Sequence, residues 1–296
     1  MAAGNAAAVF TKQPDGSFVN TTIPTFRGAR ITLDPETARH TLRYKDGRSV
    51  VFGPERLPIQ VRDRAGNTLT IARDFETNPT QFTEPAGRSL TLGWLWTVRD
   101  RLLMVRDPLG RIVSYGYDTD TRLSTVTNPQ GGITRYAYDT QHRMTSITDP
   151  RNIVTVQNTY DANSRVCQQT KPDTGTVRFF YITTDRVTLP ESLQLLSEAA
   201  AGGPITQPPC SATTATSAPV TATVLVDPRG APTTSRFNGQ QYLIQVTDAL
   251  GQVTTYTRQA DTNLLLSITD PLNRVTQFQY DANGNVTQLT DAANKT

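Results

Sequence analysis

The feature that most constrains this 296-residue chain is a motif of about twenty-one residues that recurs in register. Clear copies are DPLGRIVSYGYDTDTRLSTVTN from Asp107, NPQGGITRYAYDTQHRMTSITD from Asn128 and DPLNRVTQFQYDANGNVTQLTD from Asp270. Measured between opening residues, Asp63 to Glu84 is 21 and Glu84 to Asp107 is 23; Asp107 to Asn128 and Asn128 to Asp149 are 21 each, and Asp149 to Asp173 is 24. After a gap the register resumes at Asp227, with Asp248, Asp270 and Asp291 following at 21, 22 and 21. A unit this short cannot bury its own apolar face. It stacks on its neighbours and builds an extended object rather than a compact enzyme core.

The unit from Asp107 shows what each copy builds. Asp107-Pro108-Leu109-Gly110 has a type I turn signature: Asp can bond the backbone two residues on, Pro presets φ, and Gly closes the fourth position. Arg111 to Tyr117 then reads as a strand, with Val113, Tyr115 and Tyr117 on one face and Ile112, Ser114 and Gly116 on the other. Asp118-Thr119-Asp120-Thr121 is a second turn, and Leu123 to Thr127 returns. Each unit is therefore a β-hairpin, and Leu123 and Val126 face opposite ways unless a bulge intervenes. A parallel β-helix is the rival, but the mid-repeat turn argues for reversal of direction. Upstream, Pro14-Asp15-Gly16 and Lys45-Asp46-Gly47 are further hairpin signals. Counting these, on the order of sixteen to twenty strands are expected, more than an open sheet carries without curling or splitting.

Composition fits strands with one dry and one wet face: 36% apolar residues, with Thr, Arg, Asp, Gly and Pro abundant. A net charge of +3 with cations scattered among anions gives no nucleic-acid stripe. No apolar run approaches the ~20 residues of a membrane span, and the N-terminal MAAGNAAAVF does not read as a signal peptide. Cys167 and Cys210 leave a bridge open as an alternative. Trp94 and Trp96 read as packing residues. The organisation expected is 1–62 as hairpins leading into the repeats, 63–186 as a repeat block, 187–226 as an insertion, and 227–296 as a second repeat block truncated mid-repeat. In the insertion, Pro190 to Ala199 can form a short helix, and the PITQPPCSATTATSAP that follows reads as a surface excursion rather than a plug over one face.

The recurring Tyr117-Asp118, Tyr138-Asp139, Tyr160-Asp161 and Tyr280-Asp281, each followed by an Asp-Pro-x-Gly-like element, resemble the YD repeat of the RHS family. The resemblance covers roughly Arg39 to Thr296 except the insertion, and Tyr44 to Asn67 resembles the entry region that precedes such repeats. It implies an all-β fold of tandem antiparallel hairpins in one long curved, spiralling sheet, part of a shell. In polymorphic toxins and insecticidal toxin complexes of that family the shell encloses a toxic C-terminal segment; in teneurins it supports adhesion. The implied partners are the rest of a parent shell and its cargo, with self-association through open sheet edges, and the implied location is secreted or cell-surface. Two units depart from the pattern, with Phe237-Asn238 in place of Tyr-Asp and Gln259-Ala260-Asp261 after Arg258. A closing core region is not seen and the chain stops at TDAANKT, so a fragment of a longer wall is expected.

No constellation points to catalysis, a cofactor or a metal. Equivalent carboxylates on adjacent hairpins stand about 9.5 Å apart, too far to share a cation. His40 and His142 lie in different units, and Cys167 has no nucleophile signature. The repeat-signature residues Asp107, Pro108, Gly110, Tyr117, Asp118, Tyr138, Asp139, Tyr160, Asp161, Tyr280 and Asp281 are expected to serve structure. Two functions follow: a wall that encloses a polypeptide, or a surface module recognising glycan or protein through aromatic and Arg rows. Burial of Tyr115, Tyr136 and Tyr280 favours the first.

Overall fold

Tight turns at intervals of ten or eleven residues dictate the architecture. The computed structural model describes residues 8–21, 23, 25–95, 101–172, 175–185, 190–202, 205, 210, 215–282, 284–293 and 295. They divide into two units, Ala3–Arg135 and Tyr136–Thr296. Trp96, Asp173, Gly203 and Asn283, and much of the Pro/Thr-rich stretch, lie outside the described residues.

In the first unit the strands are β1 (Thr11–Lys12), β2 (Phe18–Val19), β3 (Arg30–Asp34), β4 (Arg39–Arg43), β5 (Ser49–Phe52) and β6 (Pro58–Arg62). There follow β7 (Thr68–Arg73), β8 (Pro79–Thr83), β9 (Ser89–Trp94), β10 (Leu102–Arg106), β11 (Ile112–Tyr117) and β12 (Leu123–Thr127). The boundary between units falls inside β13 (Ile133–Tyr138). The second unit continues with β14 (Met144–Thr148), β15 (Val154–Tyr160), β16 (Val166–Lys171) and β17 (Gly175–Thr183), then the helix α1 (Pro190–Ala200). It ends with β18 (Val220–Val226), β19 (Pro232–Phe237), β20 (Leu243–Thr247), β21 (Val253–Arg258), β22 (Leu265–Thr269), β23 (Val275–Tyr280) and β24 (Val286–Thr290). The 24 strands among the described residues exceed the sixteen to twenty expected, because β3 and β6 flank the upstream hairpins and β17 and β18 flank the insertion.

Within each unit, every strand pairing among the described residues is antiparallel and joins chain neighbours, for instance β10 to β11 and β11 to β12, or β22 to β23 and β23 to β24. Parallel coils are thereby excluded there. The pairing of β11 with β12 shifts between Gly116 and Tyr117, so that Tyr115 faces Val126 and Tyr117 faces Leu123. The shift leaves Ser124 unpaired and puts Leu123 and Val126 on the same face, which is the bulge their spacing demanded. The same shift occurs before the turns at Asp161, Asn238, Gln259 and Asp281.

Both turns of a unit have one design. At the first, the Gly110 N–H donates to Asp107 C=O and the Asp107 N–H to Arg111 C=O, with Gly110 at φ 81°. This is a type I turn extended by a left-handed residue, so Arg111 closes the turn rather than starting the strand. At the second, Thr121 occupies the left-handed position at φ 62°. The twenty-one-residue period is thus one hairpin, two strands with two turns, and successive turns open at Asp107, Asp118, Asn128, Asp139 and Asp149, alternately eleven and ten residues apart.

Register lines up apolar side chains on the face that carries Tyr115. Val50 pairs with Val61 and Val61 with Leu69; Ile71 with Phe82 and Phe82 with Leu90; Leu92 with Val105 and Val105 with Val113. The opposite face carries Gln60, Thr70 and Thr83 in one such row, and Met104, Ser114 and Thr127 in another. A second layer occurs only over β17 to β19. There the face opposite Tyr181 turns apolar, and Phe180, Ile182, Ala222, Val224 and Val226 form a core with Leu195 and Ala199 of α1 and with Ile205. The helix amphipathicity follows the usual spacing, with Ser192, Leu195 and Ala199 inward. At its C-terminal end the helix meets the turn opened by Asp248: a Cβ on Gly202 would stand 2.4 Å from Ala249 C=O. Within the insertion, α1 and Ile205 are therefore packed over the sheet, because the strands beneath them supply an apolar face that the sequence of the loop did not announce; most of PITQPPCSATTATSAP lies outside the described residues. Cys210 is joined to Cys167 by a disulfide, closing a separation of 43 residues. In the chain-entropy view such a closure stabilises by about 4 kcal/mol.

The left-handed position yields a paired prediction. Gly110→Ala should cost roughly 1 kcal/mol, whereas Gln241→Gly, relieving φ 66° at an exposed side chain, should gain roughly 0.5–1 kcal/mol. Urea unfolding of the two variants checks this; equal signs would contradict it.

Candidate functional site

The signature residues converge on the turns and are consumed there. Asp107 Oδ1 accepts the N–H groups of Leu109 and Arg111 at 3.0 and 2.9 Å, while Oδ2 accepts Arg111 Nε at 2.6 Å. Pro108, which has no N–H to place, occupies the exposed second turn position. Asp118 repeats the pattern with Asp120, Arg122 and the Arg122 Nε, and Asp139 with Gln141, Arg143 and the Arg143 Nε. Asp161 does so with Asn163, Arg165 and the Arg165 Nε. At Asp281 the fifth residue is Asn285, whose backbone and side-chain amides supply both bonds. One carboxylate oxygen thus folds the turn and the other fixes the side chain four residues on.

The Tyr preceding the Asp clamps the open end of the hairpin. Tyr117 Oη donates to Leu102 C=O at 2.8 Å, Tyr160 Oη to Met144 C=O at 2.6 Å, and Tyr280 Oη to Leu265 C=O at 2.8 Å. Tyr181 Oη does the same to Val166 C=O at 2.9 Å. In each case the acceptor is the first residue of the preceding strand. The position tolerates any long side chain with a donor at its tip: Trp94 Nε1 reaches Pro79 C=O at 2.7 Å, Arg73 Nη2 reaches Pro58 C=O at 3.1 Å, and Arg258 Nε reaches Leu243 C=O at 2.9 Å. Arg258 therefore does the work of Tyr in a unit that departs from the motif. Tyr138 ends β13 and is half-buried.

The turn Arg then links one turn to the next. Arg143, held by Asp139, lies 4.7 Å over the Tyr160 ring, and Arg165, held by Asp161, lies 4.3 Å over the Tyr181 ring. Arg101 lies 5.8 Å over Tyr117 and donates through Nε to Thr121 C=O at 2.9 Å. The sequence reading missed this Arg; its signal was the fixed Asp-x-x-x-Arg spacing. Burial raises the Tyr117, Tyr181 and Tyr280 phenols above their ordinary range. The Arg111 side chain holds Asp107 below the usual carboxylate value, and the Arg143 N–H does so for Asp139.

Tyr115, Tyr136 and Tyr280 are half-buried, neither enclosed nor a fully exposed row. Among the described residues no group of three or more His, Cys, Asp or Glu side chains is placed to hold a metal, and no helix is long and apolar enough to cross a membrane. His142 is exposed, at φ 62° in its turn. A groove of about 700 Å³, open to solvent, lies between the turns at Glu84 and Asp107 and is lined by Leu69, Phe82, Leu90 and Leu109.

With this geometry in view, residues 96–133, 117–154 and 261–296 match the RHS Repeat family model. The matched residues carry the hairpins described above. No curated protein matches it. Among solved structures it is similar to the Photorhabdus luminescens Tc holotoxin pore, at 12% identity and a TM-score of 0.46, covering 96% of this chain and 18% of that one. It is also similar to TcdB2-TccC3, at 10% identity and a TM-score of 0.47, covering 94% and 16%. The chain therefore spans less than a fifth of those chains.

Two predictions follow from the ladder. Asp161 and Arg165 expose only 3% and 18% of their side chains, so Asp161→Ala, which strands a shielded Arg, should cost about 3 kcal/mol. Asp107→Ala, beside an Arg111 that is 62% exposed, should lower the urea midpoint clearly less than Asp161→Ala does. Acid should weaken the fold. Because Asp107, Asp139, Asp227 and Asp270 titrate below 3.8 when folded, their stabilisation is complete above that value and is lost as pH falls through the depressed values. The urea midpoint should be flat from pH 7 to 5 and drop below about pH 4; a midpoint unchanged at pH 3 would refute the assignment.

Proposed function

We propose that this chain is a wall segment of an RHS-type β-shell, whose Tyr-bearing face shields a polypeptide cargo of the parent protein. The observation that carries this is the apolar row on that face. It is continuous by register over long stretches of each unit, yet Val61, Leu90, Leu225 and Leu289 remain 38–47% exposed. An uncovered apolar surface of that extent marks a contact surface. The RHS repeats fit a structural role, since their Asp, Arg and Tyr side chains are engaged in the wall. Residues 63–186 and 227–296 serve as repeat blocks, 1–62 leads into them, and 187–226 is an insertion. The rest of a longer shell and its cargo are the partners, and secretion or surface display is the expected fate of the parent.

The competing reading is glycan or protein recognition through aromatic and Arg rows. It is disfavoured by the capture of Tyr117, Tyr160 and Tyr280 hydroxyls by backbone carbonyls. Protease digestion of the parent decides between them. A segment protected in the parent should become digestible when Leu90→Lys and Leu225→Lys are introduced, with the strands still folded by circular dichroism. No protected segment in the parent, together with glycan-array binding abolished by Tyr160→Phe, would overturn the proposal.

A further inference from the structure

Cys167 occupies an unusual place. The register between β15 and β16 passes from Thr159–Gln168 to Tyr160–Val166, so Cys167 is the unpaired bulge residue, equivalent to Ser124 in β12. A bulge re-aims its side chain out of the ladder. Here the side chain it presents is a sulfur, 1% exposed, bonded to Cys210 of the insertion. The insertion leaves β17 and returns to β18, yet the bond anchors it to β16, a strand that none of the other anchors given for its described residues reaches. Other described anchors beyond α1 include Arg178 Nη1, which donates to Ile205 C=O at 3.3 Å, and Thr216, whose N–H donates to Asn163 Oδ1 and whose Oγ1 donates to Asp185 Oδ2, both at 2.8 Å.

We propose that the Cys167–Cys210 disulfide is a redox latch: formed, it straps α1 and Ile205 over the apolar face of β17 to β19, and cut, it lets them loosen while the hairpins stay paired. The chemistry has a direction. Cys210 is partly exposed and Cys167 is not, so an external thiolate attacks Cys210 Sγ, forms a mixed disulfide there and expels the Cys167 thiolate, which takes up a proton. A second thiol cleaves the mixed disulfide, leaving two cysteine thiols and one oxidised thiol pair. A buried leaving thiolate is a poor one, so the latch survives the weak thiol poise of an oxidising compartment and yields to a strongly reducing one. The face beneath it, Phe180, Ile182, Ala222, Val224 and Val226, is then exposed to solvent.

The test uses the intact chain with and without glutathione or a phosphine reductant, with bond state read by alkylation mass. After reduction, amide exchange in α1 and β18 should accelerate at least tenfold and binding of a hydrophobic dye should rise, while β20 to β23 keep their protection. Cys210→Ser should reproduce the reduced state without reductant. Unchanged exchange in α1 after complete alkylation would overturn the latch. So would loss of protection throughout β20 to β23, which would make the bond a staple of the whole unit, or two free thiols in protein purified under oxidising conditions.

Discussion

The carboxylate that opens each turn is the interaction on which the structure depends. A tight reversal leaves backbone N–H groups pointing at nothing, and every buried or half-buried N–H must find an acceptor. One oxygen of Asp accepts two of them, closing the turn without help from tertiary structure. The other oxygen remains and takes an Arg, as at Asp139 and Asp161. That Arg lies against the aromatic ring of the next turn, so a local hydrogen-bond solution becomes a connection between repeats. Charge-assisted bonds are about twice as strong as neutral ones, and their geometry is fixed by the fork of the guanidinium. Asn can fold the turn, as Asn128 and Asn238 do, but its neutral amide cannot anchor the cation equally well.

The hairpin, its turns and the bulge were legible because they rest on local chemistry: alternation along strands, turn formers at fixed offsets, and the parity conflict between Leu123 and Val126. The clamp was half legible. Tyr117, Tyr160 and Tyr280 stood out as a motif, whereas Trp94 and Arg258 share no letter with them and share only a reach and a donor. A motif read as amino-acid identity misses a position defined by geometry. The layer over β17 to β19 was not legible for a different reason. Val220 to Val226 alternates like any strand, and only the pairing of Phe180 with Val224 and Ile182 with Ala222 shows that the second face is apolar as well. Burial of both faces is a property of register between segments separated by the insertion, and no local pattern contains it.

Alternate turns of the hairpin array differ in the residue most often found at the left-handed position, which fits a sequence that repeats at twenty-one residues rather than at ten or eleven. Turns opening at Asp63, Glu84, Asp107, Asn128, Asp227 and Asp248 place Gly at the left-handed position, which costs an L side chain nothing because there is none. Turns opening at Asp74, Asp118, Asp139, Asp161 and Asn238 place Thr77, Thr121, His142, Ser164 and Gln241 there, at about 1–2 kcal/mol each. Strain of that size persists only where the surroundings hold it. The clamps from Arg73, Tyr117 and Tyr160 stand immediately before turns of this strained kind, and the bulge that admits the clamp lies beside them. The division is not strict: Asn152 and Asn273 stand at positive φ in the turns opened by Asp149 and Asp270, and the Tyr280 clamp precedes a turn that places Gly284 there. A side chain at the strained position offers a surface that varies from turn to turn, as Thr77, Thr121, His142, Ser164 and Gln241 do, so most of the turns that follow a clamp are braced and able to diversify.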